Sequence, residues 1–340
     1  MGFLAGLMAV YTKILGTGHY VPERVVTNAD LEKLMDTTDE WIQQRTGIQE
    51  RRWIDKDTGA SDLAKPAALK ALEMAGLQAK DIDAIIFATL SPDYNFPGSG
   101  CLMTEHLGIP GTPALDIRNQ CSGFVYGMQI ADAWIRAGVY ERVLFIGAEV
   151  HSTGLDVSTR GRDVSVIFGD GAGAVIFGKS ESAEDGAILS TLVGADGAYA
   201  KDLMVEMPAS RQIPRITKEG MDEGRHFPKM NGREVFKVAA RKLPEAVVTA
   251  LAKCGKVVAD VDLFIPHQAN LRISEAVQKA LGLPDDRIYN NIMRYGNTTA
   301  ASIPIALDEC VRSGKLKRGQ TLAVGAFGAG FTWGAAVIRF

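Results

Sequence analysis

Residues 116–138, DIRNQCSGFVYGMQIADAWIRAG, decide the fold, because the apolar period changes inside them. The Thr112-Pro113-Ala114-Leu115 run just before them leads out of a buried strand. From Cys121 onward, Phe124, Met128, Ala131 and Ile135 recur at spacings of four, three and four, the apolar stripe of a helix. Asp132 and Arg136 stand four apart, acid before base, which suits a helix, and Gly138 is its stop. Cys121 therefore lies at a strand-to-helix junction. Free backbone N–H groups and the helix dipole at such a place favour a thiolate. Ser122 and Gly123 are small and leave the backbone open to a substrate. A free cysteine is as commonly a small buried hydrophobe, and position alone does not separate the two readings.

The rest of the chain sets bounds. Its 340 residues are 46% hydrophobic and 23% charged, enough for one large domain or two smaller ones. A net charge of −3 offers nothing global to nucleic acid. Cys101, Cys121, Cys254 and Cys310 are scattered without a CxxC pair, as reduced cytosolic thiols are, and form neither a disulfide framework nor a zinc site. The opening MGFLAGLMAVY is apolar but short and has no basic residue ahead of its apolar run, unlike a signal peptide. No run approaches the roughly 18 apolar residues of a membrane helix. Expected are a cytoplasmic protein, no metal and no membrane, with residues 1–9 as an appendage before a first strand near Tyr11.

Strands and helices then alternate, which argues for an α/β protein. Thr37-Thr38-Asp39-Glu40 reads as a capping box opening a short helix with Trp41 and Arg45 four apart. Residues 61–76, 233–253, 272–281 and 298–312 read as helices, and 83–90, 142–148, 172–178, 262–266, 321–327 and 333–340 as strands. Residues 199–231 break the pattern; they are polar and proline-dotted yet carry Leu203, Met204, Val205, Met207, Ile213, Ile216 and Met230. Long structureless loops are uncommon in compact domains, so a partly buried cap is expected there.

An internal repeat runs beneath this order. A shift of 179 residues lays ALEMAGLQAKDIDAIIFATL (71–90) on ALAKCGKVVADVDLFIPHQA (250–269) without a gap. A shift of 176 lays the helix from Cys121 on the helix from Asn297, with Asp132, Arg136 and Gly138 meeting Asp308, Arg312 and Gly314. The expected units are 1–180 and 181–340. In two halves packed about a pseudo-two-fold axis, the helix starts at Cys121 and Asn297 face each other. His267 ends a strand of the second half, where open α/β sheets place ligands. A lone histidine is more often a satisfied core residue; the context FIPHQAN singles this one out. Cys, His and Asn together suit a thiolate attacking a carbonyl, with an imidazole and an amide on the oxyanion. The glycines of 169–173 precede a strand, so they are no dinucleotide fingerprint.

CSGF at Cys121, PHQANLR at 266–272, GNTTAAS at 296–302, FGDGAGA at 168–174 and AFGAGFTWG at 326–334 resemble the β-ketoacyl-acyl-carrier-protein synthase III family of the thiolase-like superfamily. The likeness runs from Tyr11 to Phe340 in consistent order. It implies a five-layer αβαβα fold of two duplicated halves and a homodimer. It implies a transferase of lipid metabolism, one that works in fatty acid biosynthesis or secondary metabolism. Cys121 would take an acyl group from acyl-CoA, and His267 and Asn297 would hold malonyl-acyl carrier protein for decarboxylation and condensation. CoA is then part of a substrate, and no metal or other cofactor is implied. The alternative is an acyltransferase moving the Cys121-bound group to a hydroxyl or amine without decarboxylation; a non-catalytic partner subunit is disfavoured by the intact Cys121, His267 and Asn297.

The resemblance also places substrate contacts. Trp41 and Arg160 would sandwich the adenine of CoA, with Arg45, Asn270 and Phe327 nearby, and Phe96 would reach a partner subunit's acyl pocket. Arg233, Lys237, Gln268 and Arg272 would receive an acidic carrier protein, with Arg241 continuing the basic stripe. The backbone N–H of Cys121 and one from Gly328-Ala329-Gly330 would form the acyl oxyanion hole, provided φ at Ala329 is negative. Asn119-Gln120 before the nucleophile and LSPD at 90–93 depart from the initiating enzymes of fatty-acid synthesis and leave the acyl group open. The cap at 199–231 is expected to border the substrate entrance and to admit groups longer than acetyl.

Overall fold

The structure, a computed structural model, describes residues 10–55 and 57–340; the appendage expected at 1–9 lies outside them. The first sheet is five-stranded, in the order Tyr11–Tyr20, Gly171–Ser180, Arg142–Glu149, Ala84–Ala88, Ala114–Ile117. The second is four-stranded, in the order Ala187–Ala195, Thr332–Arg339, Thr321–Gly328, Leu263–Pro266. An isolated parallel bridge from Phe264 to Ile288 stands where the first sheet has its fifth strand. Strand senses match position by position: two antiparallel pairings, then two parallel. Strand order and senses thus recur between the two sheets except for the fifth strand, and the chain passes between sheets after Ser180 and before Ala187.

Five layers follow from which faces are apolar. Ala60–Ala75 covers the outer face of the first sheet. Its Ala67 and Ala71 let the strand approach closely: a Cβ on Gly18 would stand 2.2 Å from the Ala67 carbonyl oxygen, and one on Gly16 2.3 Å from that of Ala71. Gly232–Lys253 and Leu271–Leu281 cover the outer face of the second sheet. Between the sheets lie Gly123–Arg136 and Ser302–Arg312, whose Phe124, Met128, Ile135, Ile303 and Leu307 share one core with Phe145, Phe177, Val324 and Ile338. Phe124 packs edge-on to Phe145 with centroids 5.2 Å apart.

The central helices are tied down in the same way. Arg136 Nε reaches Asp132 at 2.8 Å, and its Nη2 donates to the carbonyl of Ile188 at 2.8 Å, in the first strand of the other half. Arg312 Nε reaches Asp308 at 2.8 Å, and its Nη2 donates to the carbonyl of Thr17 at 3.2 Å, again in the first strand of the other half. The second cluster is deeper. Asp308 is fully buried, accepts the Thr17 hydroxyl at 2.7 Å and lies 2.6 Å from His19 Nδ1. Burial raises its pKa, but the hydrogen bonds from His19, Thr17 and Arg312 outweigh that and hold it below the usual range.

Two local expectations change. Thr38, not Thr37, caps the short helix, accepting the Trp41 N–H at 3.1 Å; Asp39 N–H is taken instead by Glu32 at 2.6 Å. The irregular segment holds a small antiparallel sheet, Leu203–Val205 with Pro228–Met230, and a short helix, Lys218–Asp222. Its ends are packed, whereas Ile213 is 99% exposed, so only part of it is a cap.

The two arginine anchors give unequal expected losses. Asp308→Ala leaves Arg312 and His19 without their buried partner and should cost about 3–5 kcal/mol. Asp132→Ala, at a more open pair, should cost under about 1 kcal/mol. Equal shifts in the urea midpoints of the two variants would contradict this account.

Candidate active site

Cys121 follows Gln120, whose φ of +42° is rare for a residue with a side chain and turns the strand end into a short 3-10 turn, Gln120–Ser122, ahead of the central helix. Cys121 is 7% exposed. The backbone of Gly328 passes directly over it: a Cβ there would lie 2.6 Å from the Cys121 Cβ and 3.1 Å from its Sγ, so only glycine fits. Ala329 is not among the positive-φ residues, which meets the condition set for its donor. The backbone N–H groups of Cys121 and Ala329 act on the sulfur in the direction that favours its anion.

Asn297 and His267 arrive from the second half. Asn297 Oδ1 accepts the N–H of Thr299 at 2.8 Å, which turns the amide nitrogen towards Cys121; Thr299 holds a φ of +49° to do so. His267 follows the Leu263–Pro266 strand, and its N–H donates to the carbonyl of Gly325 at 2.7 Å. Its Nδ1 lies 2.6 Å from Ser302 Oγ. That oxygen already accepts the Gln268 N–H at 3.4 Å, so the hydroxyl proton is free to point at Nδ1. The network assigns the proton of the neutral imidazole to Nε2, an atom that is buried without a partner and faces the site.

The electrostatics correct one expectation. Burial pushes the Cys121 thiol up to about 12, and the buried Glu149 carboxylate adds to this; its own N–H, Asn297 and Ala329 pull the other way without offsetting it. Burial therefore draws the resting group towards the thiol. Glu149 is itself raised to about 7 by burial, against hydrogen bonds from Ser91, Leu90 and Thr89. Burial pushes His267 down to about 3, so the imidazole is neutral.

Two cavities meet at Cys121. One, of about 580 Å³, is lined by His267, Asn297, Phe327, Asn270, Trp41 and Arg45 together with Arg233 and Arg272. The other, of about 690 Å³, runs along Leu203, Met204 and Val205 of the cap. Arg45 stacks on Trp41 at 4.5 Å. The second arginine on that ring is Arg162, at 5.3 Å, not Arg160. Arg160 turns away to Asp156 at 2.6 Å and the Asp222 carbonyl at 3.0 Å. The Arg160-Gly161-Arg162 spacing left open in the sequence which arginine meets that ring.

Gln268 is corrected too: it is 2% exposed, and its amide is consumed by the carbonyl of Pro266 and the N–H groups of Asn291 and Ile292, so it cannot meet a carrier protein. Asn270 donates to the carbonyl of Arg45 and caps the next helix at Arg272, so its amide is largely spent. Arg272 bonds the Gln44 carbonyl at 3.1 Å and Glu275 at 3.0 Å. Arg233 and Lys237 are exposed. Phe96, 86% exposed, lines neither cavity. Among the described residues there is no cluster of three or more metal-ligating side chains and no helix long and apolar enough to cross a membrane.

The chain is similar to known proteins. Residues 115–197 match the family described as 3-oxoacyl-[acyl-carrier-protein] synthase III, and 251–340 match its C-terminal part. The chain is 46% identical over 327 residues to the β-ketoacyl-[acyl-carrier-protein] synthase III of Caldanaerobacter subterraneus, covering 96% of this chain and 97% of that one. It is 44% identical over 331 residues to the enzyme of the same name from Aliivibrio fischeri, covering 97% and 100%. The crystal structure of 3-oxoacyl-[acyl-carrier-protein] synthase III from Aquifex aeolicus superimposes with a TM-score of 0.88 at 43% identity, over 97% of this chain and 100% of that one. The priming β-ketosynthase of the R1128 polyketide pathway does so with 0.87 at 30% identity, over 99% and 98%.

With its thiol raised to about 12, Cys121 should be alkylated by iodoacetamide about tenfold faster per pH unit from pH 7 to 9, because only the thiolate reacts. Glu149→Gln should speed the reaction at pH 8.5, where that carboxyl is charged, and change it little at pH 5.5, where it is protonated. Peptide-resolved mass spectrometry separates Cys121 from the exposed Cys101. A rate at Cys121 that is flat across this range would refute the buried-thiol picture.

Proposed function

Because this chain belongs to the 3-oxoacyl-[acyl-carrier-protein] synthase III family, we propose that it condenses an acyl-CoA with malonyl-acyl carrier protein, with loss of carbon dioxide, to give a β-ketoacyl thioester. The supporting observation is the meeting of two cavities at Cys121, with His267 Nε2 and the Asn297 amide aimed into one of them.

In the first half-reaction the Cys121 sulfur attacks the thioester carbonyl. The carbonyl oxygen takes the negative charge within reach of the N–H groups of Cys121 and Ala329. The C–S bond to CoA then breaks, and CoA leaves as the thiol with the proton that Cys121 gives up. In the second, the malonyl thioester oxygen accepts hydrogen bonds from His267 Nε2 and Asn297. Its carboxylate leaves as carbon dioxide and the electron pair becomes an enolate. The enolate carbon attacks the acyl carbonyl, the bond to Cys121 breaks, and the sulfur takes up a proton from solvent, the one proton that the whole reaction consumes. Neutral donors suit an enolate that forms and disappears within one turnover, since no charge stays buried between turnovers. One such donor is worth on the order of 10²–10³ in rate. These steps call for no resident metal or redox cofactor.

Trp41, with Arg45 and Arg162 both close to its ring, offers a cationic aromatic site for the adenine of CoA. Exposed Arg233 and Lys237 beside the same cavity offer an acidic carrier protein an electrostatic landing. The protein would act in the cytoplasm, where both thioesters are made. The Ala114–Ile117 strand is an open edge, with Leu115 37% and Phe96 86% exposed beside it. Such edges are normally covered, and a second copy paired here would form a homodimer with Phe96 reaching the partner's site.

Two measurements test this. His267→Ala and Asn297→Ala should still form acyl-Cys121 from acyl-CoA but lose decarboxylation by about 10²–10³, and Ser302→Ala should follow His267→Ala in turnover with normal acylation. A variant that keeps decarboxylation and loses acylation reverses the assignment. Sedimentation should give the mass of two chains; one chain at micromolar concentration would remove the dimer.

A further inference from the structure

The larger cavity at Cys121 is mostly apolar, along Leu90, Val150, Leu155, Phe168, Leu203 and Met204, but polar side chains interrupt that lining. Three polar side chains with unspent hydrogen-bonding groups line it. His151 is 6% exposed; its Nε2 lies 2.6 Å from Thr299 Oγ1, and its Nδ1 has no partner among the described residues. Gln120, held by its positive φ immediately before the nucleophile, has a carboxamide with no partner among the described residues. His226, from the cap, has a buried Nδ1 that is likewise unpartnered. Burial keeps His151 neutral, so it is a donor-acceptor pair and not a cation.

The charged groups are spent or peripheral. Asp93 is engaged by the N–H and hydroxyl of Ser61, the latter at 2.8 Å, and Arg118 is exposed at the rim. In the single chain the cavity holds about 690 Å³, within the range of sites that enclose a whole small ligand, before any part of it is taken by Phe96 of a second copy. An unbranched alkyl chain would strip water from three polar groups and return no hydrogen bond. An ionised acyl terminus would lack a buried counter-charge.

The geometry points to a hydroxylated acyl group, aliphatic or aromatic, as the substrate that Cys121 accepts, its hydroxyl bound by Gln120, His151 or His226. This rests on the condensing activity proposed above and specifies its first substrate. His151 has a second connection: through Thr299 Oγ1 it touches the residue whose N–H orients Asn297, so the wall of the acyl cavity and the donor for the malonyl group share one bridge.

The experiment compares matched CoA thioesters on the full chain: hexanoyl with its 3-, 5- and 6-hydroxy derivatives, and benzoyl with its 3- and 4-hydroxy derivatives. The rate of acyl-Cys121 formation is read by intact-protein mass spectrometry. The best hydroxylated member of a series should acylate faster than its parent, by about tenfold or more, because a site built to bond a hydroxyl discriminates against its absence. His151→Leu should shift the ratio towards the parent, and His151→Gln should keep part of the preference. Parents that acylate as fast as every hydroxylated partner overturn the polar cavity and leave the condensation reading standing. Failure of every thioester to acylate Cys121 overturns both. The wild-type comparison alone decides the matter if a variant does not fold.

Discussion

Two helices sealed between two sheets are the constraint on which this structure depends. Gly123–Arg136 and Ser302–Arg312 bury apolar residues against both sheets, so neither can slide without opening the shared core. Each is also pinned near its C-terminal end, by Arg136 to the Ile188 carbonyl and by Arg312 to the Thr17 carbonyl. A cation near that end suits the helix dipole, and each arginine reaches the first strand of the opposite half. With one end fixed across the pseudo-two-fold, the other ends are fixed relative to each other. Those other ends carry Cys121 and Asn297.

The same burial sets the chemistry. A site deep enough to hold Cys121 and Asn297 in register is dry, and dryness penalises charge. It raises the Cys121 thiol and lowers His267, two shifts with one cause. For an anionic nucleophile this is a cost, partly offset by the N–H groups of Cys121 and Ala329. For a hydrogen-bond donor it is a benefit, because a neutral His267 whose Nδ1 accepts the Ser302 hydroxyl presents Nε2–H. Catalysis by neutral donors is what a buried site of this kind can support.

Close approach finishes the arrangement. Gly328 leaves no room for a Cβ above Cys121, which brings the oxyanion donors of its turn to the sulfur. The positive φ values of Gln120 and Thr299 are local strains held by the packed halves around them, and both residues serve the site: one faces the acyl cavity, the other orients Asn297.

Much of this was written in the order of the residues. The change of period at Cys121, the 176-residue and 179-residue shifts and the strand end at His267 follow from local pattern, because apolar spacing and turn residues act over a few positions. Cys121, His267 and Asn297 were legible for that reason, as were most strands and helices. The Ala187–Ala195 strand was not: its partly exposed, serine- and threonine-bearing face has no clear period, and its partner Thr332–Arg339 lies far along the chain. The placing of Arg162 on the Trp41 ring, the burial of Gln268 and the polar contact of His151 were equally hidden, since each depends on which groups from other segments pack alongside. The sequence by itself determined which residues could do chemistry and how the halves repeat. Only the tertiary structure decided their protonation, their partners and the character of the acyl cavity, because burial and hydrogen-bond geometry are properties of the packed halves and not of any one segment.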